Sequence, residues 1–168
     1  MIQLRKPVLQ DGTKIFQLAK SAGTLDVNSC YHYLLLCQKF SDTCVIATQK
    51  EELIGFLTAF RDPNHAETLF IWQIAVSQSQ RNQGIARAML NHLLQRDFDP
   101  EIQFIETTIT PSNTASQALF RGLAKELQSE INEKRFFEKK FFSENGHEPE
   151  NLFRIGPLTH NPKRQLYK

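Results

Sequence analysis

The chain has little of what a disulfide framework, a metal cluster or a membrane span would need. Cys30, Cys37 and Cys44 are the only cysteines in 168 residues. They are odd in number and lack the paired spacing of a zinc site, so they read as reduced thiols used for packing. Cys30 and Cys37 fit one helix face, and Cys44 falls in the strand expected after it. No apolar run approaches the roughly 18 residues that a membrane helix needs, and residues 1–7 lack the apolar core of a secretory leader. A net charge of +2 is too small to imply a nucleic-acid partner. The local basic excess of Lys163, Arg164 and Lys168 reads as a solvated tail. Internal repeats and low-complexity segments are also missing. The expectations are a cytoplasmic protein with no metal, no membrane and no nucleic acid.

What is present is enough for one domain. The length can bury a continuous core unaided, and 40% hydrophobic with 23% charged residues is ordinary for a globule. The informative stretch is 68–94. Residues 68–76 form a nearly unbroken apolar run, which predicts a strand covered on both faces. After a polar turn, Gly84 opens a segment in which Ile85, Ala86, Met89, Leu90, Leu93 and Leu94 share a helix face. A strand, a glycine-bearing loop and a helix thus follow one another. The first turn of a helix leaves backbone N–H groups without partners at the positive end of its dipole, and a phosphate satisfies both. In Arg81-Asn82-Gln83-Gly84-Ile85-Ala86 the glycine lets an anion approach the backbone, and Arg81 and Arg87 add charge. Neither the Gly-Lys-Ser/Thr ending of a nucleotide loop nor a G-x-G-x-x-G is there.

The remaining elements follow from periodicity and caps. Residues 3–6 read as a first strand limited by Pro7. Asp11 looks like the cap of a helix ending near Gly23, and Asn28 or Ser29 caps a second helix running to about Phe40. Residues 43–48 and 53–60 read as antiparallel strands joined at Lys50-Glu51-Glu52, with Asp62-Pro63-Asn64-His65 breaking the second. Residues 102–110 predict another strand. Residues 113–127 predict a helix with Thr114 and Gln117 as a capping box. Residues 135–142 fit a strand or a loop with aromatic anchors. Asn145-Gly146-His147 marks a turn, and 152–155 a last strand.

The Arg81 to Ala86 loop resembles the pyrophosphate loop, R/Q-x-x-G-x-G/A, of the GCN5-related N-acetyltransferases, which binds coenzyme A. Four stretches resemble one family among them, the L-2,4-diaminobutyrate acetyltransferases of ectoine biosynthesis. They are Leu25-Asp26-Val27-Asn28-Ser29 with Tyr31, Tyr33-Leu34-Leu35-Leu36-Cys37 and Phe40-Ser41-Asp42-Thr43-Cys44-Val45, then residues 68–76, then Glu106-Thr107-Thr108-Ile109-Thr110-Pro111-Ser112-Asn113, and finally His147-Glu148 through Leu152-Phe153-Arg154-Ile155-Gly156-Pro157. Together they span about 25–158. The resemblance implies an α/β fold with a mixed central sheet of six to seven strands flanked by about four helices. It implies an acetyltransferase domain over 1–158 with a tail at 159–168, and a homodimer. The implied reaction is transfer of an acetyl group from acetyl-CoA to the γ-amine of L-2,4-diaminobutyrate. Two rival readings are an acetyltransferase of another small amine and a silent acyl-CoA-binding module.

The same resemblance implies roles for individual residues. Backbone groups of Ile74, Ala75 and Val76 would pair with the pantetheine arm. Arg81, Gln83, Gly84 and Ala86 would hold the pyrophosphate, and Asn113, Ser116 and Phe120 would add cofactor contacts, with an N-cap as the other reading of Asn113. The substrate is a dication with one carboxylate. Its pocket would use Asp26, Tyr31, Trp72, His147 and Glu150, which supply anions and aromatic faces. Arg61, Arg154 and backbone amides are open as carboxylate partners. Trp72 and Gln73 stand where many members carry a strand glutamate, so Glu150 or His147 is expected to receive the amine proton. Phe120 stands where a tyrosine is common, so water or Tyr31 is expected to protonate the leaving thiolate. No cysteine has an evident base partner, which favours direct transfer.

Overall fold

The structure, a computed structural model, describes residues 1–23, 25–143 and 146–158. The expectations for Asn145 and for the 159–168 tail with Lys163, Arg164 and Lys168 lie outside the described residues. The strands are β1 (Ile2–Arg5), β2 (Val45–Gln49), β3 (Glu52–Arg61), β4 (Thr68–Val76), β5 (Phe104–Ile109), β6 (Ile131–Phe137) and β7 (Glu150–Ile155). The helices are α1 (Gly12–Ala22), α2 (Cys30–Lys39), α3 (Ile85–Leu94) and α4 (Thr114–Glu126). Sheet order is β1-β2-β3-β4-β5-β7-β6, so the fold is a mixed α/β arrangement with seven strands and four helices among the described residues. It divides into two compact units, one of Met1–Phe60 with Ile71–Arg96 and the other of Arg61–Phe70 with Asp97–Lys168.

In the first unit β1 and β3 both run antiparallel to β2. The β2–β3 connection turns at Lys50 and Glu51, which both adopt positive φ, at 49° and 65°, as a two-residue hairpin turn requires. Ile15, Leu18, Tyr33, Leu36, Ile46 and Phe56 form the unit's core. Helix α1 stops at Gly23, whose φ of 67° suits the left-handed C-terminal position that glycine fills without strain. Cys37 is buried and Cys30 half-buried on α2, while Cys44 sits one residue ahead of β2 rather than within it.

Asp11 departs from its expected role. It makes no side-chain cap on α1. Its carboxylate accepts a forked pair of bonds from Arg5, at 2.7 and 3.0 Å, and a third from the Val8 N–H at 2.8 Å. The carboxylate therefore closes the turn before the helix. Burial alone would raise its pKa, and the bonds from Arg5 and Val8 outweigh that, so the carboxyl sits below the ordinary aspartate range. A depressed folded-state value stabilises the fold above the unfolded value and is lost as pH falls through the folded one. Asp11→Asn is expected to cost about 1–2 kcal/mol at pH 7. The figure is kept low because the Arg5 side chain is 43% exposed. The cost should shrink progressively below pH of about 4. Urea unfolding at pH 7 and pH 3 checks this, and an equal cost at both would contradict it.

Strand β4 matches its expected span, but it is not covered on both faces. Leu69, Ile71, Gln73 and Ala75 are buried, whereas Trp72 is 45% exposed and Phe70, Ile74 and Val76 are partly exposed. Apolar side chains on an open face give the same unbroken run as a strand buried twice, so the pattern could not separate the two.

In the second unit the start of β4 pairs parallel with β5, from Thr68 opposite Phe104 to Phe70 opposite Glu106. Strand β7 lies antiparallel to both β5 and β6. Both late strands begin earlier than expected. Strand β6 has exposed residues at Asn132–Phe137, so it shows no alternation for the sequence to reveal. The expected capping box on α4 does not form either. Asn113 is the cap, its Oδ1 accepting the Ser116 N–H at 3.1 Å. Gln117 turns back to donate to the Thr110 and Pro111 carbonyls, at 3.4 and 3.0 Å.

Candidate active site

The loop from β4 to α3 has the backbone that an anion site needs. A short turn at Gln78–Gln80 leads to Asn82, with φ 63°, and Gly84, with φ 75° and ψ 6°. Gly84 starts α3 with no side-chain cap, and by the geometry of any helix the first-turn N–H groups lack intrahelical acceptors. A Cβ built at Gly84 would meet nothing within 4 Å, so the glycine serves the left-handed backbone and an open approach rather than relief from crowding. Gln83 is exposed and Ala86 half-buried. Arg81 is tied down. Its Nε donates to the Val76 carbonyl at 3.3 Å and its Nη2 to the Ala22 carbonyl at 2.8 Å. The guanidinium thereby fixes the loop against the ends of β4 and α1, where its charge also complements the negative end of the α1 dipole.

The same unit arranges Asp26, Tyr31 and Trp72. Ser29 caps α2, its Oγ accepting the His32 N–H at 3.3 Å, so Asp26 is not spent as a cap. Exposed Asp26 is held through its backbone, because its carbonyl accepts from Gln73 Nε2 at 2.8 Å. The other side of that amide accepts from the fully buried Tyr33 hydroxyl at 2.9 Å. A buried amide satisfied at both ends is worth a net stabilisation and would be costly to break. Tyr31 is 71% exposed on α2. The Trp72 indole is flanked edge-to-face by His32 at 4.5 Å and by Phe60 at 5.9 Å. The sequence assigns no role to Tyr33 or His32, although Tyr33 lies in a stretch that carries the resemblance. Gln73 stands out there only as a residue where many members carry a glutamate; a polar residue inside an apolar run was the available signal for a buried lock.

The second unit carries the other expected residues. His147 stacks on Phe142 with centroids 3.7 Å apart and planes 10° from parallel. Its Nδ1 lies 2.5 Å from the Glu148 carbonyl oxygen, which can only accept. The Nδ1–H tautomer is therefore favoured, and the lone pair falls on Nε2. Glu148, not singled out by the sequence, accepts from the Ser112 N–H at 3.2 Å and from the Ser112 hydroxyl. That pair ties the segment carrying His147 to the loop before α4. Glu150 is the first residue of β7 and is half-buried. Asn113 has committed its Oδ1 to the cap, so a cofactor contact would fall to its Nδ2. Ser116 is half-buried on α4. Phe120 is only 3% exposed and packs toward the core side of α4.

Both arginines left open for the substrate carboxylate are committed elsewhere. Arg61 donates to the carbonyls of Ala66 at 2.8 Å, of Asp99 at 2.6 Å and of Pro100. Arg154 pairs with Glu106 and lies 3.8 Å from the Phe104 ring centroid. Two of the three cysteines are poor nucleophiles: burial pushes the Cys37 thiol up to about 12 and the Cys44 thiol up to about 11, so neither carries thiolate at neutral pH. Among the described residues there is no group of acidic, histidine or cysteine side chains that could hold a metal, and no helix is long and apolar enough to cross a membrane.

Comparison with known proteins places this arrangement. Residues 13–124 match the model of the Acetyltransferase (GNAT) family. The L-2,4-diaminobutyric acid acetyltransferase of Shouchella clausii (strain KSM-K16) is 46% identical over 94% of this chain and 88% of its own length. That of Halomonas elongata is 43% identical over 92% and 81%. A solved structure of the diaminobutyrate acetyltransferase of Paenibacillus lautus, in complex with L-2,4-diaminobutyric acid and coenzyme A, is 43% identical, covers 95% of this chain and 97% of that one, and superposes with a TM-score of 0.92. The Escherichia coli ribosomal-protein-S18-alanine N-acetyltransferase, 16% identical with a TM-score of 0.70, shares the fold. The chain belongs to the acetyltransferase (GNAT) family.

Proposed function

We propose that this protein transfers the acetyl group of acetyl-CoA to the γ-amine of L-2,4-diaminobutyrate, giving N4-acetyl-L-2,4-diaminobutyrate for ectoine biosynthesis. What carries the reading is the near-full-length likeness to a solved enzyme bound to L-2,4-diaminobutyric acid and coenzyme A, in a chain that has Asp26, Tyr31, Trp72, His147 and Glu150. The backbone of Ile74, Ala75 and Val76 would take the pantetheine arm, and the Arg81–Ala86 loop with Gly84 at its end would take the pyrophosphate on the first-turn N–H groups of α3. Gln83 and Asn113 Nδ2 would add polar contacts. Asp26 would attract the ammonium of a dicationic substrate, and the exposed faces of Trp72 and Tyr31 would pack against it.

An alkyl ammonium has a pKa of about 10.4 in water and must lose a proton before it attacks. His147 fits the acceptor best, because the Glu148 carbonyl leaves Nε2 as the basic nitrogen; Glu150 is the second candidate. The neutral amine then attacks the thioester carbonyl, a C–N bond forms, the C–S bond breaks, the thiolate takes a proton from water or from Tyr31, and the nitrogen gives up its second proton to restore that donor. The raised thiols of Cys37 and Cys44 support this direct route over an acyl-enzyme. The homodimer, the cytoplasmic location and the 1–158 domain span belong to the same reading. A kcat/KM panel tests it. L-2,4-diaminobutyrate should exceed 1,3-diaminopropane, which lacks the carboxylate, by at least about 10-fold. Equal values would overturn the substrate assignment.

A further inference from the structure

His32 takes no part in the roles assigned so far, yet its surroundings are specific. It is the third residue of α2, half-buried, with an Nε2 that is shielded from solvent and has no nitrogen or oxygen partner among the described residues. A shielded imidazole nitrogen without such a partner is costly unless something else receives it. Two aromatic rings flank the imidazole, each nearly perpendicular to it: Tyr33 with centroids 5.1 Å away and an 84° angle, and Trp72 at 4.5 Å and 80°. Edge-to-face contacts of this kind, including N–H to a ring face, are favourable beyond the area they bury. Tyr33 cannot yield, since its ring is fully buried and its hydroxyl is bonded to Gln73. His32 therefore braces Trp72 against a fixed support, with Phe60 flanking the indole as well. Trp72 still keeps 45% of its surface exposed.

We infer that His32 is a positioning residue that sets the plane of the Trp72 indole, and with it the affinity for the amine substrate. The inference rests on the proposed use of Trp72 as a cation-binding face. A face presented at a fixed angle binds a cation without first losing rotamer freedom, whereas an unbraced indole must be ordered by the ligand. Burial lowers the His32 pKa, which keeps the imidazole neutral at neutral pH and adds no charge repelling a dication.

The test combines kinetics with the optical signature of Trp72, the chain's single tryptophan. His32→Ala is expected to raise the KM for L-2,4-diaminobutyrate roughly 3–10-fold, to leave the KM for acetyl-CoA unchanged, and to weaken the near-ultraviolet dichroism of the indole. His32→Phe keeps an aromatic edge and should restore both. In a Trp72→Ala background His32→Ala should add nothing to the amine KM. His32→Asn removes the ring while keeping a polar side chain and serves the same comparison if the alanine variant does not fold. An unchanged dichroism band, or the same KM increase with and without Trp72, would overturn the inference. Failure of the wild-type protein to acetylate diaminobutyrate would instead sink the functional reading, and the dichroism comparison would still judge the bracing by itself.

Discussion

His147→Ala is expected to lower kcat for diaminobutyrate acetylation by roughly 10²- to 10⁴-fold, the span over which a positioned general base acts. The KM for acetyl-CoA should change little, because nothing assigned to the cofactor passes through this side chain. The argument is one of tautomer and support. The carbonyl of Glu148 beside Nδ1 fixes which nitrogen is basic, Phe142 stacked on the ring fixes its plane, and Glu148 holding Ser112 anchors the segment. His147→Ala should also flatten the low-pH limb of the kcat profile, since that limb reports protonation of the base. Glu150→Ala under identical conditions separates the two candidates: a smaller loss with the limb retained assigns the proton to His147. Normal turnover across pH in both variants would show that neither residue accepts it.

Gly84→Val should raise the KM for acetyl-CoA by roughly 10- to 100-fold while moving the amine KM far less. Two effects add. The residue sits at φ 75°, where a β-branched side chain is strained by about 1–2 kcal/mol. Its side chain would also occupy the open space through which an anion reaches the first turn of α3. Gly84→Asn separates them, because asparagine tolerates the left-handed region. That variant should unfold at nearly the wild-type urea concentration and still show a raised acetyl-CoA KM. A raised KM only in the destabilised valine variant would mean that strain, not an anion site, explains the effect.

How far the sequence could go was set by which features carry a local signal. The element boundaries of the β4–loop–α3 segment were legible, since an apolar run, a glycine and a 3.6-residue period each leave a mark on neighbouring residues, whereas the open face of β4 was not. The site residues of the first unit were legible only in part. Asp26, Tyr31 and the stretch holding Tyr33 came from resemblance, while the contacts of His32 with Trp72 and of Tyr33 with Gln73 were hidden, because partners 40 positions apart leave no local pattern. Asp11 and Thr114 show a subtler limit. Both were recognised as capping types, but which backbone N–H such a side chain meets depends on the turn before the helix. Strand β6 was blurred for the opposite reason: an edge strand with exposed side chains has no buried face to impose alternation.

The most direct measurement is incubation of the protein with acetyl-CoA and L-2,4-diaminobutyrate, followed by identification of the acetylated nitrogen by NMR. The account predicts one product, acetylated at the γ-nitrogen, with release of one free thiol per acetyl group transferred. Acetylation at the α-nitrogen, or cofactor binding with no product, would contradict it.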